Sequence, residues 1–394
     1  MPLGLYISVP FCRTKCSYCN FASDVFSHSV FQRYVDRVCA DLQRSPETAG
    51  QLSGRFERLV DSVYLGGGSP TILDVAQLER VFVTISQNFE VSREAEITVE
   101  CAPGTLSPAL LDVFGRCAVN RVSLGVQSFV DQETRAVGRL HTRETTIADI
   151  VQLRAVGISN INVDLIAGLP HQTMESWDTS LAEIIASGVP HVSVYMLEVD
   201  NDSRLGRELI AGGTKYHAHF VPNEDLIANL YERACERLEA TGIHQYEISN
   251  FAKPGSESQH NLKYWTRQPY MGFGVDAHSM LLPLDQHAAA MRFAAPDSLE
   301  NYLAGTQLEQ TILSREGALE EALFLGLRLT RGVDLEKIAA EFGQEAIMSV
   351  ATTVADLVAA GLMEQQGSVV RLSPRGRLLS NEVFERFVSV GDRS

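Results

Sequence analysis

Short β-branched segments alternate with longer helix-like segments through the first half of this 394-residue chain. Strand–helix alternation builds βαβ units, in which consecutive strands run parallel in one sheet. The predicted strands are Leu5–Val9, Ser62–Leu65, Ile97–Glu100, Arg121–Val126, Asn160–Ile166 and His191–Met196. The predicted helices are Phe31–Gln43, Val75–Phe89, Pro108–Cys117, Thr145–Val156 and Trp177–Ala186. Periodicity alone leaves a doubly wound sheet and a full or partial barrel open.

The ends of the predicted strands carry polar residues and glycines. These groups are Cys12 after the first strand, Gly66-Gly67-Gly68-Ser69 after the second, Glu100, Gln127 and Asp164 at or near the ends of the next three. A single polar residue often ends a strand by chance, but five in succession favour a shared site. In a parallel barrel the carboxyl ends of the strands form one face, so these groups are expected to converge there.

Three of the seven cysteines, Cys12, Cys16 and Cys19, lie within eight residues. An odd cysteine count without a secretory signal does not suggest disulfides. Cysteine thiolates hold iron–sulfur clusters, and three ligands for four irons leave one iron open to an external ligand. Arg13 and Lys15 favour thiolates and an anionic cluster. Structural zinc needs four ligands, and His28, the nearest further candidate, lies nine residues beyond Cys19. The motif therefore predicts a 4Fe–4S cluster.

The pattern changes in the second half of the chain. Glu224–Glu239 reads as one long helix, and the Gly-, Pro- and aromatic-rich residues Phe251–His278 as an ordered loop. From Leu299 onward the segments are mainly helical. The last segments predict a helix, strand, turn, strand and helix, as in a winged helix: Val354–Ala360, Leu362–Glu364, Gln366-Gly367, Val369–Leu372 and Pro374–Leu379. We expect three parts: residues 1–215, 216–298 and 299–394.

Charge and hydropathy narrow the classes of partner. The net charge is −16, and no cluster of Lys and Arg is present, so nucleic-acid binding is not expected, and the winged-helix-like end is interpreted as structural support. No apolar run approaches the ~20 residues that cross a bilayer. The first residues carry no basic or apolar signal region, so the cytoplasm is the simplest location. Peripheral membrane contact is left open.

The cysteine spacing resembles the signature of the radical-SAM superfamily. That resemblance implies an α/β fold, a partial (β/α)6 barrel, in which the open iron of the cluster binds S-adenosylmethionine (SAM). Gly66-Gly67-Gly68-Ser69-Pro70-Thr71 is similar to the family's glycine-rich loop, with Ser69 where Thr is common. The implied SAM contacts are Tyr6, Tyr18, Gly67, Gly68, Ser69, Glu100, Gln127, Arg139 and Asp164. Without the resemblance, Arg139 would be read as a surface cation and Asp164 as a cap.

The resemblance extends over nearly the whole chain to the oxygen-independent coproporphyrinogen III oxidase-like group. The oxidases carry a fourth cysteine where this chain has Phe21, and an N-terminal extension, whereas eleven residues precede Cys12 here. In addition, His260-Asn261-Leu262-Lys263-Tyr264-Trp265 matches the His-Asn-x-x-Tyr-Trp motif of HemW-type haem chaperones. On chemistry alone, His260 and Asn261 serve equally well as backbone caps in a structured loop.

The resemblance therefore implies a haem chaperone without coproporphyrinogen oxidase activity. Its cofactors would be a 4Fe–4S cluster, SAM and haem, and its partners a haem-acceptor protein and an electron donor. His260 is the hypothetical axial ligand, with Tyr264 and Trp265 stacked on the porphyrin and His278 as a second candidate ligand. The alternatives are a radical-SAM coproporphyrinogen III oxidase, which decarboxylates its substrate to protoporphyrinogen IX, and a zinc-stabilised barrel hydrolase.

Overall fold

The computed structural model of the chain describes residues 1–284 and 289–388. Its first six strands run parallel and lie side by side in chain order, which confirms the expected partial barrel. They are β1 (Leu3–Val9), β2 (Leu59–Gly67), β3 (Glu90–Cys101), β4 (Arg121–Gln127), β5 (Asn160–Ala167) and β6 (His191–Met196). Each predicted strand lies within one of these, and the sixth has the bounds predicted. The nearly continuous burial of β1 and β5 is typical of a sheet covered on both faces.

Six further strands extend this sheet beyond both edges of the barrel. They are β7 (His244–Gln245), β8 (Asn250–Ala252), β9 (Tyr270–Gly274), β10 (His278–Leu281), β11 (Ala290–Ala294) and β12 (Glu309–Leu313). β9 pairs in parallel with β1, and β8 pairs antiparallel with β6. Because β1 and β6 have these other neighbours, the barrel is open between them.

The helices of the barrel half are α1 (Phe31–Gln43), α2 (Ser45–Gln51), α3 (Val75–Asn88), α4 (Pro108–Arg116), α5 (Asp131–Ala136), α6 (Arg143–Ala155) and α7 (Met174–Ser187). Their ends follow the expected punctuation. The Ser107 side chain accepts a hydrogen bond from the Leu110 amide at the start of α4, where Pro108 is the first helical residue. Gly188 ends α7 in the left-handed region, at φ 67°.

The remaining helices are α8 (Arg204–Ala211), α9 (Glu224–Glu239), α10 (Gln259–Trp265), α11 (Leu299–Ala304), α12 (Arg315–Leu327), α13 (Leu335–Phe342), α14 (Gln344–Ala359), α15 (Pro374–Leu378) and α16 (Ser380–Glu385). Three-residue 3-10 turns lie at His28–Val30, Pro70–Ile72 and Ala218–Phe220. The long helix predicted for Glu224–Glu239 has the same bounds in the structure.

The C-terminal region forms a small separate core and confirms the winged-helix-like prediction. Strands β13 (Val333–Asp334), β14 (Met363–Gln366) and β15 (Val369–Leu372) form an antiparallel sheet in the order β13–β15–β14. Helices α12, α13 and α14 pack beside it, and the buried residues include Leu323, Leu327 and Val370. The helix predicted for Pro374–Leu379 extends one residue beyond the observed α15.

The predicted ordered loop over Phe251–His278 is wrong, because this segment contains α10 and β9. The glycines that suggested a loop lie in β9 for steric reasons. A Cβ at Gly272 would lie 2.3 Å from the His278 carbonyl oxygen, and one at Gly274 would lie 2.3 Å from the Ser8 carbonyl oxygen. Glycine inside a strand marks such a close approach of backbones.

Within the described residues, no helix is both long enough and apolar enough to span a membrane.

Candidate functional site

The strand-end groups meet around one cavity of about 540 Å³ at the carboxyl end of the barrel. The predicted residues that line it are Cys12, Cys16, Tyr18, Cys19, Gly67, Gly68, Ser69, Glu100, Gln127, Arg139 and Asp164. Tyr6 lies elsewhere, in a neighbouring cleft that also contains Gly67. The geometry thus brings together side chains that are up to about 150 residues apart in sequence.

The cysteine loop is held in place by backbone hydrogen bonds to three other segments. The Cys12 amide donates to the Asp24 carbonyl over 3.0 Å, and the Ser17 amide donates to the Val137 carbonyl over 3.1 Å. The Leu205 amide in α8 donates to the Ser17 carbonyl over 2.8 Å. These bonds fix the loop between the β1 and β4 ends of the barrel, so its three thiols are presented to the cavity.

The glycine-rich loop after β2 lies directly against the start of the cysteine loop. The Gly68 amide donates to the Val9 carbonyl over 2.7 Å, and the Ser69 amide donates to the Phe11 carbonyl over 2.8 Å. A Cβ at Gly68 would lie 2.6 Å from the Phe11 carbonyl oxygen. Gly67 has φ 94°, a conformation that side chains disfavour. Glycine is therefore required here for close approach of two loops.

Two carboxylates, Glu100 and Asp164, line the same cavity as the cysteines. Tyr64 donates a 2.8 Å hydrogen bond to Glu100, and Asn162 donates a 2.7 Å bond to Asp164. Burial, followed by the charge of Asp164, raises the pKa of Glu100 to about 7. Burial also raises the pKa of Asp164, against hydrogen bonds that favour its ionised form. The charge of Glu100 is therefore expected to change near neutral pH.

Arg139 and Gln127 present unpaired polar atoms beside these carboxylates. The Arg139 Nε and the Gln127 Oε1 are buried without a hydrogen-bond partner. Gln127 also holds a left-handed backbone, at φ 70°, which costs a non-glycine residue free energy and often marks a functional site. Gly125 leaves room for both, since a Cβ there would lie 3.0 Å from Arg139 Nη2. Unsatisfied buried groups of this kind fit a polar ligand that completes them.

The cysteine thiols suit an iron–sulfur cluster in their position and chemistry. Burial is the largest influence on Cys12 and Cys19, and it raises the pKa of both thiols. Cluster binding must therefore release protons from them. Among residues 1–284 and 289–388, no group of three or more His, Cys, Asp or Glu side chains is arranged to hold a single metal ion. The fit to a cluster rests on the loop, its spacing and the unpaired groups that face it.

The His-Asn-x-x-Tyr-Trp motif forms α10, which packs into the interior of the barrel. Ser258 accepts a hydrogen bond from the Asn261 amide as the N-cap. Glu96, from the middle of β3, accepts hydrogen bonds from the amides of Gln259 and His260 at 3.0 and 3.1 Å. A carboxylate at a helix N-terminus is stabilising, so β3 anchors the motif inside the barrel.

His260 is enclosed and both of its ring nitrogens have partners. Nδ1 lies 3.0 Å from the Ser62 hydroxyl, and Nε2 lies 2.9 Å from the Tyr264 hydroxyl. The residue is 1% exposed, and its burial, with the charges of Lys263 and Arg121, lowers its pKa to about 3. The imidazole is therefore neutral, and an iron would have to displace one of these hydrogen bonds. Axial ligation by His260 stays a prediction.

Trp265 faces the C-terminal region. The Arg328 guanidinium lies 4.3 Å from the centroid of the Trp265 ring, a cation–π distance. Arg328 Nη2 also lies 3.5 Å from Glu247 Oε2, and Glu247 is fully buried. Arg328 lines the main cavity as well. Arg328, which belongs to the C-terminal region, therefore contacts the motif and lines the cavity.

Several site residues were missed in the sequence. Tyr64 could have been found, because it shares the inward face of β2 with Gly66 at a spacing of two. Arg328 and Asn381 line the cavity from the C-terminal region. Neither belongs to a motif or a periodic pattern, so their role depends on tertiary packing that local sequence does not encode.

Comparison with known proteins agrees with this architecture. The family model of the Radical SAM superfamily matches residues 6–184, and that of the HemN C-terminal domain matches residues 313–379. The heme chaperone HemW of Lactococcus lactis is 32% identical over 391 residues, covering 98% of this chain and 97% of the relative. That of Bacillus subtilis is 32% identical, covering 97% and 98%.

A solved structure of similar fold is the coproporphyrinogen III oxidase HemN of Escherichia coli, described as a radical SAM enzyme. It superposes with a TM-score of 0.83 at 24% identity, covering 98% of this chain and 90% of that one. At this identity the likeness concerns the fold alone.

The open parallel barrel and its matched N-terminal half define a radical-SAM protein. Within that class, the near-complete coverage by relatives shows that the chain belongs to the HemW family.

Proposed function

We propose that this protein binds haem and passes it to an acceptor protein, on a radical-SAM scaffold. The observation that carries the proposal is the likeness to heme chaperones over 98% of the chain. The placement of the motif supports it, because α10 lies inside the barrel and Tyr264 lines a cleft that adjoins the main cavity. The acceptor and an electron donor for the cluster are the proposed partners.

Cys12, Cys16 and Cys19 are the proposed ligands of a 4Fe–4S cluster. Bound there, the cluster would supply electrons and an open iron for SAM. Cys16→Ser should abolish the broad iron–sulfur absorbance and reduce iron from about four atoms per chain to near zero. Cys117→Ser, which changes a half-buried cysteine outside the motif, is the matched control and should keep the cluster. Equal iron in both variants would contradict the ligand assignment.

The proposed SAM contacts surround the cysteine loop. Gly67, Gly68 and Ser69 offer backbone close to the cluster position. Arg139, with its unpaired Nε, suits the carboxylate of SAM, because guanidinium–carboxylate pairs are strong and directional. Glu100 and Asp164 suit the ribose hydroxyls. Tyr18, which packs beside Arg139, and Gln127 complete the proposed set, with Tyr6 supporting it from the neighbouring cleft.

His260, Tyr264 and Trp265 are the proposed haem motif. Tyr264 lines the cleft beside the main cavity, whereas His260 contacts the Tyr264 hydroxyl from inside the barrel and Trp265 packs under Arg328. We therefore propose that Tyr264 contacts the porphyrin directly. His260 would act by holding Tyr264 through the hydrogen bond between its Nε2 and the Tyr264 hydroxyl.

The side chain at position 21, Phe21, distinguishes the proposed chaperone from the oxidases. It is 65% exposed and lines both cavities, at the position where the oxidases place a fourth cysteine. An apolar ring there offers a surface for a porphyrin and no thiol. Coproporphyrinogen III decarboxylation is consequently not expected.

The test is an anaerobic haemin titration of the cluster-reconstituted protein, followed in the Soret band. Saturable binding near one haem per chain, with no protoporphyrinogen formed from coproporphyrinogen III in the presence of SAM and a reductant, is expected. His260→Ala should weaken binding, whereas His244→Ala, at an exposed histidine in β7, should not. Absence of haem binding, together with coproporphyrinogen turnover, would establish the oxidase instead.

A further inference from the structure

A second cleft, of about 300 Å³, opens beside the main cavity. Phe21, Ser23 and Gly67 line both, so the two spaces share a wall. Tyr6, Tyr264, Tyr270 and His278 also line the cleft. Several aromatic rings together with an exposed histidine form a lining that suits a flat, largely apolar ligand carrying a metal.

His278 differs from His260 in accessibility. Its side chain is 67% exposed, and it begins β10 at the rim of the cleft. One ring nitrogen, Nε2, lies 3.7 Å from Asp276 Oδ1. At 3.7 Å the two side chains are too far apart for a hydrogen bond, so Asp276 does not fix the imidazole and a ring nitrogen of His278 stays available to a ligand. Asp276 itself lines the cleft, so this pair is built into its wall.

Tyr264 contacts His260 inside the barrel and lines the same cleft as His278. Its ring lines the cleft, while its hydroxyl lies 2.9 Å from His260 Nε2 inside the barrel. The Tyr264 ring also meets Tyr270 edge to face, with centroids 4.6 Å apart. The enclosed His260 therefore fixes one wall of the cleft, and does so without reaching the cleft itself.

We infer that haem sits in this second cleft with His278 as an axial ligand, Phe21 and Tyr264 against the porphyrin, and His260 as a positioning residue. This inference rests on the proposed function and names the part of the molecule that performs it. It also places the haem next to the SAM cavity, with Phe21 between them, so that occupancy of one site can influence the other.

The test compares His278→Ala with His260→Ala and the control His244→Ala, using haemin titration and the ferric haem spectra in absorbance and electron paramagnetic resonance. His278→Ala should weaken binding by roughly tenfold or more and lose the histidine-ligand signature. Millimolar imidazole should restore that signature, because it replaces the missing side chain. His260→Ala should bind haem more weakly with an unchanged ligand signature, and His244→Ala should match the unsubstituted protein.

The outcomes separate the inference from the proposed function. If the unsubstituted protein binds haem and His278→Ala keeps both the affinity and the ligand signature, this inference is overturned while the proposed function stands. If His260→Ala alone loses the histidine signature, His260 is the ligand and the assignment to His278 is wrong. If the unsubstituted protein binds no haem, both fail. Because His278 is exposed, its substitution should leave the fold intact, and circular dichroism checks this.

Discussion

The Tyr264 hydroxyl lies 2.9 Å from Nε2 of His260, four residues earlier on the same helix. This hydrogen bond joins a buried, neutral imidazole to a ring that lines a cleft. Two residues of one motif thus have different positions, one inside the barrel and one at its surface cavity. The motif therefore contains a buried supporting residue, His260, and a residue that lines the cleft, Tyr264. The sequence of the motif alone does not reveal this division.

Tyr264→Phe should destabilise the protein by about 1–3 kcal/mol, because it leaves the buried Nε2 of His260 without a partner. Ser62→Ala, which removes the partner of Nδ1, should cost a similar amount. Urea denaturation followed by circular dichroism measures both. Unchanged stability in both variants would mean that these hydrogen bonds do not persist in solution.

Gly68→Ala should weaken SAM binding to the reconstituted protein by roughly tenfold or more, since an added methyl group forces the two loops apart. Gly115→Ala is the matched control, because a Cβ there meets nothing within 4 Å. Isothermal titration calorimetry with SAM compares them. Equal affinities would show that the close approach of these loops does not shape the SAM site.

Glu100 should make the ligand-free protein less stable as the pH rises. Its pKa in the folded chain is about 7, above its ordinary value of 4.5, so the folded state binds more protons between these values. Its stabilising contribution is therefore complete below pH 4.5 and is lost as the pH rises through 7. Relative to Glu100→Gln, this amounts to a loss on the order of 2–3 kcal/mol.

Urea unfolding of the cluster-free protein and of Glu100→Gln, at pH 5 and pH 8, measures that difference. The unsubstituted protein should lose more stability than the variant across this range. Identical losses in the two proteins would contradict a raised pKa for Glu100.

Arg328→Ala should destabilise the protein by roughly 3 kcal/mol, because it leaves the buried Glu247 carboxylate without its ion pair. It should also change the emission of Trp265, which loses the guanidinium above its ring. Trp177 is the second of the chain's two tryptophans, so Trp177→Phe isolates the Trp265 signal. Arg331→Ala, at an exposed arginine nearby, should alter neither property.

An unaltered Trp265 emission in Arg328→Ala would show that the C-terminal region does not hold the motif. A changed emission with unchanged stability would confirm the contact between Arg328 and Trp265. It would also show that the ion pair between Arg328 and Glu247 does not stabilise the fold.

The barrel could be predicted from sequence because each strand contains buried apolar residues and is followed by a helix-like segment. In β5 the buried Ile161, Val163 and Leu165 alternate with asparagine and aspartate residues. The strand ends could be predicted because a polar residue or a glycine follows the last apolar position, as at Gln127.

The rest of the sheet could not be predicted. β12 is an edge strand with four of five residues exposed, so it has no apolar alternation to detect. In β9, Gly272 and Gly274 suggest a loop, although they permit close packing of strands. The burial of His260 depends on Ser62 and Glu96, nearly 200 and over 160 residues away. Only the folded barrel brings these groups together.

The most direct test of the account is release of the bound haem. The haem-loaded, cluster-reconstituted protein is mixed anaerobically with an excess of apomyoglobin, and the Soret band is followed with time. A chaperone should transfer its haem, so the spectrum should become that of myoglobin while the iron–sulfur absorbance of the protein remains. Haem that stays on this chain in the presence of excess apomyoglobin would identify a resident cofactor and contradict the account.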